Sequence, residues 1–199
     1  MSYIQHLSRD KKMARLVNSQ GALNLQGKRD LCHYLCASIM SQQLSTKVAA
    51  VIHGRFLELF PGKKPTAEAI LQTPPETLRS IGLSHAKVSY VHNVARFHLE
   101  KGMHVRHLAP MSDEEVIAYL TEIKGVGRWT VEMLLMFALK REDVFPADDL
   151  GIQQAMTRLY ALDATDKKKL KEDMHRIAAK WSPYRTYASM HLWNWKDSA

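Results

Sequence analysis

The 199-residue sequence holds only two cysteines, Cys32 and Cys36. Two thiols cannot supply the four thiolates of an ordinary iron–sulfur cluster. Spaced i,i+4 in an apolar stretch, they read as reduced core residues of a cytosolic or nuclear protein. Long apolar runs are missing as well, and nothing approaches the roughly 18 residues that a membrane span needs. The opening MSYIQHLSRDKKMARL places its charge after the apolar residues and carries no cleavage pattern, so no signal peptide is expected. Period-2 alternation is almost absent, which argues against strands. Low-complexity segments and internal repeats are lacking too. Acidic residues are the minority, 20 against 28 Lys and Arg, for a formal net charge of +8. That sign points to an acidic partner, nucleic acid first. The densest basic run, Lys167, Lys168, Lys169 and Lys171, reads as a solvated helix face.

What is present is period-3.6 patterning throughout. With 46% hydrophobic and 24% charged residues, the class is soluble and globular. The length suits one domain or two closely packed lobes. Residues 29–40 form an apolar helical pattern with Leu31, Tyr34, Leu35, Ile39 and the cysteines on its buried side. A second runs over 46–60 and stops at Pro61-Gly62. Pro65, Pro74 and Pro75 punctuate two short helices. Ser84 can cap a helix over 85–100. Ser112 and Glu115 form a capping box, S-x-x-E, ahead of Val116, Tyr119, Leu120 and Ile123. Helices are predicted from Arg128 to about Leu139, over Asp148–Leu159, over Asp166–Lys180, and over Pro183–Trp195 with Ser182 as cap and Pro183 at the first position. The expectation is an all-α protein of about ten helices in two packed helical lobes, without a β-domain. The charge-poor helices near 31–40 and 131–139 should form its centre.

One stretch interrupts the helical pattern abruptly: Glu122-Ile-Lys-Gly-Val-Gly-Arg-Trp-Thr130. Gly125 can take the left-handed conformation that ends a helix. Gly127 lets the backbone approach something bulky, and Val126 can plug the space between the helices. The amides of the next helix N-terminus then point outward as an anion site, flanked by Lys124 and Arg128. An ordinary tight helical hairpin would read the same way.

The surroundings are more specific. Leu120-Thr-Glu-Ile-Lys-Gly-Val-Gly-Arg-Trp-Thr-Val131 resembles the helix-hairpin-helix of DNA glycosylases, L-x-x-h-x-G-h-G-x-x-T-A. Asp143-Val-Phe-Pro-Ala-Asp-Asp-Leu150 resembles the Pro-rich loop and aspartate that follow it in the HhH-GPD superfamily. Ile39-Met-Ser-Gln-Gln-Leu-Ser45 is similar to the segment that enters DNA near the lesion. Lys180-Trp-Ser-Pro-Tyr-Arg-Thr-Tyr-Ala188 with His191-Leu-Trp193 is similar to the C-terminal helix of the 3-methyladenine DNA glycosylase II branch. The resemblance covers residues about 29–195, in order and with family spacing, within a single domain over 1–199 whose hairpin lies at about 113–139.

The resemblance implies a role for each matching position. Asp149 would be the catalytic carboxylate; Asp148 and Asp149 both precede an apolar helical stretch, so each could instead be merely an N-cap, and by helix geometry Asp148 is read as that cap. Trp129, Trp193 and Met133 would line the base pocket, although either tryptophan could instead be a core aromatic, as Trp181 and Trp195 are read to be. Lys124, Gly125, Val126, Gly127, Arg128 and Thr130 would hold DNA phosphate. Gln42, Gln43 and Leu44 would enter the stack, with Gln43 as wedge, although glutamines at a helix end could equally be a polar cap. His85 and Lys87 could contact phosphate. A monovalent cation could bridge the carbonyls of Ile123 and Gly125 to that phosphate, with no other cofactor and no iron–sulfur cluster. Branches that also cut the strand carry a lysine where this chain has Trp129, so no Schiff base can form there. The implied activity is hydrolysis of the N-glycosidic bond of alkylated purines in damaged double-stranded DNA by a monomer. The implied location is cytoplasmic, or nuclear in a eukaryote, and no membrane partner is implied. A non-catalytic DNA-binding module, or a glycosylase for uracil, hypoxanthine or 8-oxoguanine, remains open on sequence.

Overall fold

The structure, a computed structural model, describes residues 2–28 and 30–198. Among these are thirteen α-helices and no strand. Two helices, α1 (Tyr3–Leu7) and α2 (Lys11–Gln20), open the chain. Then come α3 (Leu31–Ser41), α4 (Thr46–Glu58), α5 (Ala67–Gln72), α6 (Pro75–Ser80), α7 (His85–Lys101), α8 (Val105–Leu108) and α9 (Asp113–Thr121). The chain closes with α10 (Arg128–Phe137), α11 (Leu150–Tyr160), α12 (Lys167–Ala178) and α13 (Arg185–Asp197). The count exceeds ten because α1, α2 and α8 carry no sequence expectation. No helix of the described residues is long and apolar enough to cross a membrane.

Packing divides the chain into two compact units, one from Gly27–Leu134 and the other from the segments on either side of it. In the first, α3 packs on α4 and α7, and α7 on α5 and α6. Leu35, Cys36, Ile39 and Met40 of α3 are fully buried, as the charge-poor pattern predicts. Both cysteines are buried free thiols. The expected first residue of this helix, Arg29, lies outside the described residues; Asp30 caps the helix by accepting from the His33 amide at 2.9 Å. Tyr34 is only half-buried, and its hydroxyl donates to the Met133 carbonyl at 3.0 Å. The capping box at Ser112 and Glu115 is formed with both of its hydrogen bonds. It sets α9 so that Val116, Leu120 and, just beyond the helix, Ile123 are buried.

In the second unit, α13 packs on α11 and α2. The Asp10 carboxylate joins three segments. It caps α2 through the Lys12 amide and accepts from the Tyr160 hydroxyl at 2.7 Å and the Trp181 indole at 3.4 Å. Burial alone would raise this carboxyl, but those hydrogen bonds hold it below its ordinary value. Two expected helix starts are corrected. Pro183 does not open α13 and Ser182 does not cap it. The Ser182–Pro183 peptide is cis, and the helix begins at Arg185. Its first amide is capped from another loop, by Asp143, which also takes the Arg185 guanidinium through Nε at 2.8 Å and Nη2 at 2.9 Å. Ser182 donates to the same carboxylate. A cap supplied from 42 residues away leaves no local spacing signal. The second correction concerns α11, which begins at Leu150 rather than Asp148.

Candidate functional site

The hairpin joins α9 to α10. Gly125 sits at φ 105°, a region that disfavours any side chain. Its second constraint is steric, since a Cβ there would overlap the Tyr90 ring and its Cβ. Within the protein the crowding falls at Gly125. Around Gly127, apart from its chain neighbours, no atom lies within 4 Å of where a Cβ would be. That open space stands directly ahead of the first turn of α10. Val126 is buried as the plug, and Thr130 is buried behind it. Lys124 is exposed, and its carbonyl accepts from Asn93 at 3.2 Å. The Ile123 carbonyl accepts from the Val126 amide at 2.9 Å, and that of Gly125 from the Gln42 side chain at 3.5 Å. Each keeps a second lone pair, so the two oxygens fit a hard monovalent cation. Arg128 is already engaged, with Glu114 through two nitrogens at 3.0 and 2.5 Å and with Glu132 at 3.1 Å.

Trp129 stands on the first turn of α10 with 40% of its surface exposed, unusual for a tryptophan that serves only packing. Met133, one turn on, shares its helix face and is buried. The glutamine segment lies in the same unit. Gln42 caps the end of α3, Gln43 adopts a left-handed backbone at φ 58°, and Leu44 is 37% exposed. A non-glycine residue held left-handed is a strained position of the kind that gathers at working sites. His85 is exposed. The Lys87 ammonium donates to the carbonyls of Met40 at 2.9 Å and Gln42 at 2.7 Å.

In the other unit, the structure brings Asp149 and Trp193 together. Oδ1 of Asp149 accepts from the Ile152 amide at 2.8 Å and from the Trp193 indole at 2.9 Å. Asp149 is thus the N-cap of α11, and the expectation that Asp148 would serve as cap is overturned. Asp148 is exposed and pairs with Lys171. The register explains this: with the first helical residue at Leu150, Asp149 stands immediately before it with the extended backbone that turns a side-chain oxygen onto the Ile152 amide. The same hydrogen bond that caps the helix fixes the carboxylate, and the indole fixes it from a second side.

Two residues of this site escaped the sequence reading. Gly151 leaves room for the pair: a Cβ there would lie 3.0 Å from Asp149 Oδ1 and 3.1 Å from Trp193 Cδ1. Leu150 is 66% exposed beside the carboxylate. The signal for both was the Leu-Gly after Asp149, an exposed apolar residue and a glycine where a helix needs neither. Phe137 flanks the Trp193 ring at 6.1 Å. Trp181 is fully buried, as its core reading requires. Trp195 is partly buried, with the Arg158 guanidinium 5.0 Å over its ring.

Comparison with known proteins follows this geometry. The sequence profile of the HhH-GPD superfamily of base excision DNA repair proteins matches residues 36–180. The protein named DNA-3-methyladenine glycosylase 1 of Schizosaccharomyces pombe is 36% identical over 185 residues, which cover 92% of this chain and 80% of that protein. A structure of 3-methyladenine DNA glycosylase (Mag1) from the same yeast, in complex with abasic DNA, has a TM-score of 0.85 at 33% identity, covering 97% of this chain and 95% of that one. The DNA-3-methyladenine glycosidase of Bacillus halodurans also scores 0.85 at 33% identity, covering 98% and 89%. A hairpin with one strained and one open glycine, followed by a capped aspartate, is carried on a sequence and a fold that both match, and the chain belongs to the HhH-GPD superfamily of base excision DNA repair proteins.

Proposed function

We propose that this protein is a monofunctional DNA glycosylase that removes alkylated purines, 3-methyladenine and 7-methylguanine, from duplex DNA and so initiates base excision repair. The observation that carries the reading is the Asp149 carboxylate, held by the Ile152 amide and the Trp193 indole, in a chain with Trp129 where strand-cutting relatives carry an amine. Its relative of 36% identity bears the name DNA-3-methyladenine glycosylase, and the Mag1 neighbour was solved with abasic DNA, the product of such a reaction.

The chemistry follows from the substrate. An alkylated purine of this kind is cationic, so its bond to the sugar is weak and little protonation of the leaving group is needed. The bond electrons go to the base, which leaves neutral, while the sugar becomes oxocarbenium-like. Asp149 stabilises that positive charge and orients a water, whose oxygen adds to the sugar carbon and whose proton is released. Trp129 offers an exposed aromatic face, and a cation over such a face gains roughly 0.5–2 kcal/mol. Selection therefore follows the charge of the damaged base.

The base must leave the stack at a cost of a few kcal/mol. Gln43, with Gln42 and Leu44 beside it, fills the gap. Lys124, Gly125, Val126, Gly127, Arg128 and Thr130 hold the phosphate next to the lesion. When a monovalent cation is bound, the carbonyls of Ile123 and Gly125 hold it, and it supplies positive charge toward that phosphate. Hairpin, wedge and carboxylate reside on one chain, which supports a monomer, and the buried free thiols support a reducing compartment, cytosol or nucleus. Incubating methylated duplex DNA with the protein and identifying released bases by chromatography tests the reading. Release of 3-methyladenine or 7-methylguanine supports it. Release of uracil, hypoxanthine or 8-oxoguanine alone reassigns the lesion, and binding without release leaves a DNA-binding module.

A further inference from the structure

The segment that meets the DNA stack ends a helix without glycine. After Ser41 the chain turns through Gln42 and enters the left-handed region at Gln43. The Leu44 amide bonds back to the Ser41 carbonyl at 3.1 Å, and Ser45 caps α4 at once. A turn this tight, with a glutamine where glycine is favoured, holds its shape only if its neighbours fix it.

The neighbour is Lys87. It lies in the first turn of α7, behind the Ser84 cap, and its side chain crosses to the end of α3. There it donates to Met40 and Gln42, which bracket the last turn of that helix. Two unsatisfied carbonyls at a helix C-terminus present partial negative charge, which suits an ammonium. Burial draws the lysine below its ordinary pKa, as expected of an ammonium turned inward. Gln42 in turn reaches the Gly125 carbonyl, so the turn is tied to the phosphate-holding hairpin as well.

We propose that Lys87 is a positioning residue for base flipping: by seating on the Met40 and Gln42 carbonyls it fixes the Gln43–Leu44 tip in its inserting shape before DNA arrives. The idea rests on the glycosylase reading above. Ordering a tip on binding takes up part of the interaction energy, and an ordered tip avoids that loss. Lys87 touches neither the lesion nor the carboxylate in this scheme, and its effect falls on the unstacking step alone.

The test compares wild type, Lys87→Met and Lys87→Arg on two duplexes. One carries a fully paired 7-methylguanine; in the other the lesion lies opposite an abasic site, so that unstacking is already easy. Lys87→Met should slow single-turnover release from the paired lesion by about 10-fold, in line with small misplacements of working groups. It should lower the fluorescence of a 2-aminopurine placed beside the lesion. On the unpaired lesion its rate should return to within about 2-fold of wild type, and Lys87→Arg should recover most of the paired-lesion rate. A merely structural loss would slow both duplexes equally, and that result overturns the proposal. So does an unchanged rate on the paired lesion. A fall of about 0.9 in the log–log salt slope for undamaged duplex also overturns it, because it makes Lys87 a phosphate contact. Should Lys87→Met melt below the assay temperature, Lys87→Gln goes through the same comparison. Wild-type protein that releases no base from either duplex refutes the glycosylase reading and this proposal together, whereas an active wild type with an indifferent Lys87→Met refutes this proposal alone.

Discussion

Asp149→Asn should remove one negative charge and little else. Oδ1 accepts the Ile152 amide and the Trp193 indole, and an asparagine can present its carbonyl oxygen to both. Asparagine is as good an N-cap as aspartate. The only stability lost is the interaction of the charge with the helix dipole, about 0.3–1 kcal/mol. The reaction, in contrast, depends on the charge. Losing a preorganised electrostatic partner costs about 10²–10³ in rate or more, roughly 3–4 kcal/mol of barrier. Asp149→Ala is the contrast that separates the two roles. It forfeits the cap, about 1 kcal/mol, and leaves the indole N–H without its acceptor, about 1–3 kcal/mol. Both variants should fail to release 7-methylguanine in single turnover, but only the alanine should melt well below wild type. Binding to undamaged duplex should hold or tighten, since a carboxylate near phosphates repels them. Asp148→Asn serves as control, because its exposed pair with Lys171 is of the kind worth about 0–1 kcal/mol. Asp149→Asn within tenfold of the wild-type rate would refute the assignment, and a dead Asp148→Asn beside it would move the chemistry one residue upstream.

Other expectations are as direct. Gly151→Ala forces Asp149 and Trp193 apart by a few tenths of an ångström, and single-turnover release should slow by roughly tenfold, given that 1 Å misplacements reach about 10²; an unchanged rate would show that the pair's spacing is immaterial. Gly125→Ala meets both the Tyr90 ring and a φ of 105°, and chemical denaturation should show a loss above the roughly 1 kcal/mol expected of strain alone. With tryptophan at 129, the product strand should be intact, with an abasic site; trapping of an enzyme–DNA adduct by borohydride would contradict this. His191 is fully buried, and burial pushes its pKa down to about 4. Folded protein therefore binds fewer protons than unfolded between about 6.5 and 4, so stability from this site is present above that window and is lost as pH falls through it, by about 2 kcal/mol at pH 5. Urea melts at pH 7 and pH 5 should show that drop, and it should shrink in His191→Asn.

Much of the fold was legible because its signals are local. The Ser112–Glu115 box and the Ser84 cap each fix a helix start from three or four adjacent residues, and both stand where they were placed. The two misplaced helix starts share one cause. The start of α13 depends on Asp143 and that of α11 on which of two adjacent aspartates has the extended backbone; neither is a matter of periodicity. The α2 helix was readable from Asp10, Met13, Leu16 and Val17, a cap followed by an i, i+3, i+4 stripe. In the site, residue types announced the hairpin glycines, whereas Asp149 and Trp129 were marked by the family resemblance. The roles of Lys87 and Tyr90 could not be read, because each is defined by what it touches across tens of residues.

Arg128 carries a consequence for how the protein spends its time on DNA. Its guanidinium is bound to Glu114 and Glu132 before any phosphate arrives. These pairs use three of its five N–H donors, so a phosphate at Arg128 would share the group with Glu114 or displace it, and in either case would gain less than from a bare cation. Contacts of that kind have short dwell times. Under the glycosylase reading, a protein that meets a vast excess of intact base pairs for each damaged one covers more of them the sooner it lets go, and the Glu114 carboxylate would be the competitor that shortens each stop.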